Sequence, residues 1–494
     1  MKLTKKIGLI LGPIAFLLIR FLFHPEGLSP EANSVLAVTA WIATWWITEA
    51  IPIAATSLLP IVLFTITGGA SISDTTASYG HKFVFLYLGG FLIALAIEKW
   101  NLHRRIALNI IYYVGTDVKK IILGFMIATA FLSMWISNTA TSVMMLPIAL
   151  AVVTQLKDNP ETAENENKRF GKALMLAIAY SASIGGIATL IGTPPNLVLA
   201  GVVQETYNYE ITFVEWFKFG FPISITILVI CYFYLTKIAY KFEKKNYAGG
   251  KEEIKKQKKE LGKISNEEIK VTIVFALTAL CWIFRSIVMK SFFPEVDSKI
   301  IDDTVIAIAF SIVLFIIPDS TNKKGLMVWK DAQKLPWGII LLFGGGMALA
   351  SAFQQSGLAV WIGEKMAGLE GFSLFIILLI LVASVNFLTE VTSNLATTAM
   401  LLPILAPMAL TLDIHPLIIM TGAAVAASCA FMLPVATPPN AVVFGSGYLK
   451  IPDMVGKGVV LNIISILIVT VAVYYLIPII WDINPNIFPS EFQP

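Results

Sequence analysis

Ser137-Asn138-Thr139-Ala140-Thr141 returns as Ser393-Asn394-Leu395-Ala396-Thr397 at an offset of 256 residues. Both copies lie inside long apolar runs. The same offset relates Pro147 to Pro403 downstream and Gly89-Gly90 to Gly345-Gly346 upstream. A second repeated string follows each copy, Gly192-Thr193-Pro194-Pro195-Asn196 and Ala436-Thr437-Pro438-Pro439-Asn440. Polar residues inside membrane-like segments are costly in lipid unless they serve a site or a pathway. The chain therefore reads as two copies of one unit, each bringing half of a polar site.

Composition sets the surroundings of that site. Of the 494 residues, 57% are hydrophobic and only 14% charged, against about a quarter charged in a soluble domain. This indicates an all-α polytopic membrane protein. No basic groove with interleaved aromatics is present, so nucleic acid is not expected as a partner. Cys231, Cys281 and Cys429 are far apart in apolar stretches, which suits neither a disulfide framework nor zinc. The HExxH zinc motif and the phosphate-cradling GxxxxGK[ST] loop are both absent, and the latter argues against an ATP-driven pump. The N-terminus has the basic start and apolar run of a signal peptide. However, Arg20 interrupts the run and His24-Pro25-Glu26 replaces a small-residue cleavage site, so a retained first span is expected.

Candidate spans are 7–23, 34–50, 52–67, 83–98, 172–203, 213–236, 271–290, 302–318, 337–355, 415–446 and 457–480, each near or above the ~20 residues that cross the hydrocarbon. Two of them, 172–203 and 415–446, are too long and contain Thr-Pro-Pro-Asn. Proline removes a backbone donor and restricts its predecessor, which predicts two half-helices around an unwound joint in each. The runs 121–156 and 373–411 are interrupted by Ser-Asn instead and read as re-entrant hairpins. Lys and Arg collect on the cytoplasmic side. The segment 237–270, with eleven lysines against six glutamates, is expected inside, as are the N-terminus and 99–120. Segments 24–33 and 291–303 and the C-terminal tail are expected outside. The scheme is about eleven transmembrane helices plus two hairpins, with the N-terminus cytoplasmic and the C-terminus outside.

By this parity the repeats enter from opposite faces. Residues 1–33 form an N-terminal helix and first outside loop, 34–236 the first repeat, 237–270 a basic cytoplasmic linker, and 271–494 the second, inverted repeat. In transporters built this way, the substrate site lies near the midplane where discontinuous helices of both halves meet. Helix N-termini there suit a carboxylate. Unwound carbonyls, with Ser and Asn oxygens, suit a small hard cation. Small hydroxyl residues also serve plain helix packing, but packing does not explain two duplicated strings. The glycine pairs read as close-packing points. Glu390, three residues before Ser393 and replaced by Met134 in the first copy, is either a proton or cation group, or is hydrogen-bonded to the backbone of its own hairpin. Glu49 reads as an interface residue beside Trp45-Trp46, and Arg285 as snorkelling to the outer surface.

SNTAT, SNLAT and the two TPPN joints, together with LYLGGFLIALAIEKWNLHRRIAL at 86–108, resemble the divalent anion/sodium symporter family of INDY-type di- and tricarboxylate transporters. The resemblance covers nearly the whole chain. It implies a homodimer in a bacterial inner membrane, with a scaffold and a transport domain in each protomer, an elevator-like movement, and sodium-driven uptake of C4 dicarboxylates such as succinate. Carried onto matching positions, it implies a first sodium site of Ser133, Ser137, Asn138 and Gly192 and a second of Thr389, Thr392, Asn394 and Ala436. The substrate would meet Ser137, Asn138 and Thr139 on one side and Ser393 and Asn394 on the other, with Thr193 and Thr437 closing the pocket. Leu395 departs from the pattern, placing an apolar contact where Thr139 has a hydroxyl. Longer dicarboxylates, a keto-acid, citrate or sulfate, and sodium-independent exchange, remain open. A membrane-embedded enzyme would need a nucleophile with its base, a metal cluster or a cofactor motif, and the sequence offers none. No cofactor is expected beyond sodium as coupling ion.

Overall fold

The computed structural model describes residues 3–115, 117–157, 164–242, 250–292, 301–321, 323–365 and 371–493. Parts of the expected loops and linker (158–163, 243–249 and 293–300) lie outside the described residues. The described chain is helical almost throughout. α1 (Leu3–Leu22) packs along α2 (Pro30–Thr48), and Ser29 accepts from Ala32 N at 3.0 Å to start α2. The span expected over 52–67 is two pieces, α3 (Ile53–Thr56) and α4 (Leu59–Thr67), because Pro60 sits in the first turn of the second piece, where it has no amide to continue the ladder across Ser57-Leu58. α5 (Ile72–Tyr79), α6 (Lys82–Lys99) and α7 (Leu102–Val114) lead to the first hairpin, α8 (Val118–Ser133) and α9 (Asn138–Lys157). Asp117 caps α8 by accepting from Lys120 N at 2.8 Å. The 16 residues of α8 span roughly 24 Å, less than the ~30 Å hydrocarbon thickness, and part of that length is the basic Lys119-Lys120 end. A limb that short suits a re-entrant hairpin.

α10 (Glu164–Ile187) and α11 (Pro194–Tyr207) flank the first joint, and α12 (Phe213–Phe233) ends in a π-helical turn over Tyr234–Ala239. A short lysine-rich helix, α13 (Gly250–Glu260), packs on α7 and α9 through its buried Ile254 and Gln257. The second copy runs through α14 (Asn266–Phe292), α15 (Asp303–Ile316), α16 (Trp329–Ala332), α17 (Trp337–Gln355) and α18 (Leu358–Lys365). Its hairpin is α19 (Leu374–Thr389) and α20 (Asn394–Thr411), its broken helix α21 (Pro416–Ala427) and α22 (Pro438–Phe444), and its last helix α23 (Ile451–Trp481). Among the described residues, seven helical stretches are long and apolar enough to cross a membrane, and four shorter apolar helices accompany them.

The packing repeats as the sequence does. α8 and α9 both pack on α10, and α19 and α20 both pack on α21; α12 lies against α10 as α23 lies against α21. The halves then interlock. α9 packs on α22, and its counterpart α20 packs on α11; α10 meets α22 as α21 meets α11. Each hairpin therefore rests on the broken helix of the other copy. The glycine pairs act as close-packing points, with Gly89 against Ala307 and Gly345 against Ser57.

Arg285 differs from its expected role. Its guanidinium lies 3.5 Å from both Glu210 and Asp303, while Lys82 bonds Glu210 at 2.8 Å. An ion-pair cluster therefore holds it. These partners are distant in sequence, which is why no pairing is legible there.

Candidate functional site

Each joint starts from the same local instruction. Proline at the first helical turn needs no amide donor, so Pro194 and Pro438 open α11 and α22. Thr193 (φ −141°, ψ 143°) and Thr437 (φ −139°, ψ 149°) take the extended conformation that the residue before proline prefers. Residues 188–193 and 428–437 lie between the helices of each pair, so their backbone groups need other partners. The Asn of each TPPN string supplies some of them. Asn196 Nδ2 donates to Thr189 O at 2.8 Å and lies 3.3 Å from Gly186 O. Asn440 Nδ2 donates to Leu433 O at 3.0 Å and lies 3.3 Å from Ala430 O. The equivalence extends to individual carbonyls. Sequence reasoning used these strings for their prolines and for Gly192, Thr193, Ala436 and Thr437, but not for the repeated Asn.

The first tip gathers oxygens. Ser133 Oγ, at the end of α8, donates to Ala182 O at 2.7 Å. One terminal atom of the Asn138 amide lies 2.5 Å from Ser133 Oγ, 3.2 Å from Ala182 O and 3.3 Å from Gly192 O. Gly192 approaches so closely that a Cβ there would stand 2.5 Å from Gly186 O, and a Cβ on Gly186 would stand 2.8 Å from the Asn138 amide oxygen. Ser133, Asn138 and Gly192 thus meet as the sequence predicts. Ser137 does a different job in this arrangement, capping α9 by accepting from Ala140 N at 3.2 Å. Thr139 is exposed beside it, and Thr193 is buried.

The second tip repeats the core of this arrangement. Thr389 Oγ1 lies 2.7 Å from Asn394 Oδ1 and 3.0 Å from Ala427 O. Thr392 faces elsewhere: its hydroxyl bonds Leu388 O at 2.9 Å and Thr397 Oγ1 at 2.6 Å. Ala436 turns its N–H back to Leu433 O at 3.2 Å. Ser393 starts α20 without a side-chain cap bond, and Thr437 accepts from Asn440 N at 3.3 Å. Leu395 is 5% exposed and belongs to the apolar core, in contrast to the exposed Thr139.

Glu390 bonds the backbone of its own copy's broken helix, not that of its own hairpin. Its carboxylate accepts from Phe431 N (2.8 Å), Met432 N (2.9 Å) and Leu433 N (3.0 Å), and from Asn462 Nδ2 at 2.7 Å. Those three amides are the freed donors of the second joint, so Glu390 is a positioning residue for that joint. Asn386 supports the same wall by donating to Cys429 O at 2.6 Å. Neither Asn386 nor Asn462 carries a sequence signal, since each is a lone amide in an apolar helix.

Residues 3–481 match the family described as the sodium:sulfate symporter transmembrane region. The chain belongs to that symporter family. Within it, the chain is 48% identical over 484 residues to the sodium-dependent dicarboxylate transporter SdcS of Staphylococcus aureus, covering 97% of this chain and 92% of that protein. The SdcS of Staphylococcus saprophyticus is 46% identical over 482 residues, with the same coverage. Two solved transporters share the fold at low identity. One is MtrF of Neisseria gonorrhoeae, with a TM-score of 0.59 at 13% identity, over 93% of this chain and 96% of that one. The other is YdaH of Alcanivorax borkumensis, with a TM-score of 0.58 at 14% identity, over 92% of this chain and 100% of that one. The symporter-family chain is thus an all-α membrane transporter and not an enzyme.

Proposed function

We propose that this protein is a sodium-coupled transporter of C4 dicarboxylates of the succinate type, in a bacterial plasma membrane. The observation that carries the reading is the duplicated oxygen cluster, Ser133–Asn138–Gly192 and Thr389–Asn394, at two hairpin tips that each rest on the other copy's broken helix. Neutral oxygens from hydroxyl, amide and unwound carbonyl groups suit a small hard cation. The first turns of α9 and α20 offer amide donors and the positive end of the helix dipole to the substrate carboxylates. Ser137, Asn138 and Thr139 face one carboxylate in this reading, and Ser393 and Asn394 the other. The names of the close relatives support dicarboxylate over sulfate.

The movement we infer is elevator-like. α8–α12 and α19–α23 form the interlocked carrier, and α1–α7 with α14–α18 form the scaffold. The family resemblance adds a homodimer. The basic α13 and the N-terminal lysines support a cytoplasmic N-terminus, and the C-terminus is then outside.

Uptake into proteoliposomes tests this reading, with succinate, citrate and sulfate compared with and without an imposed sodium gradient. Succinate accumulation driven by the gradient is expected. Accumulation indifferent to sodium points to exchange, and preference for sulfate or citrate overturns the substrate assignment. Asn138→Ala and Asn394→Ala should each abolish gradient-driven uptake while the protein stays folded. Unchanged uptake in either variant removes that tip from the site.

A further inference from the structure

The Asn138 amide carries a second consequence. The terminal atom that points into the first tip meets only oxygens: Ser133 Oγ, Ala182 O and Gly192 O. An amide has a donor end and an acceptor end of nearly the same shape, and which end faces a given group follows from the surrounding hydrogen bonds. With the nitrogen inward, its two hydrogens serve this ring of acceptors. With the oxygen inward, four oxygens converge and only the Ser133 hydroxyl brings a hydrogen, which is unfavourable in a buried site. A cation between those oxygens reverses the preference, because hard cations are held by such oxygen clusters.

We propose that the Asn138 side chain is a two-position switch that couples cation to anion. Without sodium the amide nitrogen faces Ser133, Ala182 and Gly192; with sodium the amide turns over and its oxygen faces them. This rests on the sodium-coupled reading above. Turning the amide about its Cβ–Cγ bond needs no backbone movement. It also exchanges what the opposite edge presents. Asn138 is half-buried at the first residue of α9, and the reading above places the substrate carboxylate at this tip, beside that edge. A carboxylate approaching without sodium meets an oxygen and is repelled. With sodium bound it meets an N–H donor. A hydrogen bond gained to a charged group, in place of a repulsion, makes substrate binding on the order of 10- to 100-fold tighter with sodium.

The second tip has no such ambiguity. The Thr389 hydroxyl lies 2.7 Å from Asn394 Oδ1, as the Ser133 hydroxyl lies against Asn138, but among the described residues no pair of backbone carbonyls like Ala182 O and Gly192 O is found against that oxygen. The structure thus assigns the switch to the first tip and a fixed orientation to the second.

Solid-state NMR on the full-length protein in liposomes tests the assignment. Asn is labelled at the side-chain nitrogen and Gly at the carbonyl carbon. The nitrogen–carbon coupling between Asn138 and Gly192 is isolated by subtracting the spectrum of Asn138→Asp, which has the same shape without the nitrogen. This also removes Asn196, whose amide lies near Gly186 O. Asn138→Ser serves as a second subtraction if the Asp variant does not fold. The coupling is expected in choline buffer and lost in saturating sodium. Sodium binding is read separately, as thermal stabilisation over choline. Stabilisation with an unchanged coupling overturns the switch and leaves sodium coupling standing. No coupling in choline also overturns it. No stabilisation by sodium overturns both readings. In Asn138→Asp, both ends accept, so sodium should still stabilise while succinate adds nothing. Mutual reinforcement of sodium and succinate in that variant overturns the proposal.

Discussion

At the first joint, Thr189 donates its hydroxyl to Met134 O at 2.6 Å. At the second, Glu390 stands at Met134's position in the repeat and accepts from the amides of residues 431–433. The same gap between a hairpin tip and a broken helix is bridged in opposite senses. In the first copy the joint gives a hydrogen to the tip through a neutral side chain. In the second the tip collects three from the joint through a carboxylate. The first joint is also the tighter one, since Gly186 and Gly192 admit no Cβ where the second copy carries Ala430 and Ala436. Duplication preserved the parts that present oxygens and let the supports diverge. Two oxygen clusters of similar outline are therefore held by different forces.

That contrast breaks most visibly at Glu390. Glu390→Ala takes the acceptor from the amides of Met432 and Leu433 and from the Asn462 side chain, and leaves Phe431 N only Asn462 Oδ1 at 3.2 Å, so a loss of about 3–5 kcal/mol is expected, seen as poor folding and a sharply lower melting temperature. Glu390→Gln keeps one acceptor oxygen and should fold with weaker sodium dependence. If both variants melt like the parent, the second joint is not held by this carboxylate. Next in size is Gly192→Ala, which forces Gly186 O aside and should eliminate sodium stabilisation. Ala436→Gly should cost only about 0.5–1 kcal/mol. Equal effects of the two on sodium titrations would erase the difference in tightness.

The position pair Thr139 and Leu395 sharpens the comparison further. Leu395→Thr puts a hydroxyl into the core and should lower stability by about 1–3 kcal/mol with little change in substrate ranking. Thr139→Leu, at an exposed position, should alter the ranking of dicarboxylates in competition assays with little change in melting. The reverse pattern would place Leu395 on the substrate wall after all. Thr189→Val, which removes one neutral hydrogen bond, is a similarly small change. A loss of about 1 kcal/mol is expected, well below that of Glu390→Ala in the same melting assay.

The parts legible in the sequence are those that local chemistry dictates. Ser-Asn between apolar runs predicted the hairpins, Thr-Pro-Pro-Asn predicted the broken helices, and the repeat offset predicted which residues correspond. Ser133 with Asn138, and Thr389 with Asn394, were implied by the family resemblance, and the structure brings each pair together. The supports were not legible because they are long-range. Nothing in the sequence around Glu390 names residues 431–433, and nothing around Arg285 names Glu210. Ser137 and Thr392 were placed at the cation sites by the family resemblance alone, and nothing local in the sequence shows which other groups their hydroxyls meet. In the structure Ser137 bonds Ala140 N and Thr392 bonds Thr397. Leu395 is buried where Thr139 is exposed, since corresponding positions in a repeat need not share their exposure.

The interlocking of the two copies also sets an order in time. The first hairpin is complete once Lys157 is made, yet α9 rests on α22, which ends nearly 290 residues later at Phe444. At synthesis rates of about 5–20 residues per second, the first tip waits roughly 15–60 s for its neighbour. During that interval its polar groups stand in the bilayer without the surface that later shields them. A nascent chain stalled before α22 should therefore be the form most exposed to quality-control proteases, and α22 the short segment whose arrival covers the first hairpin.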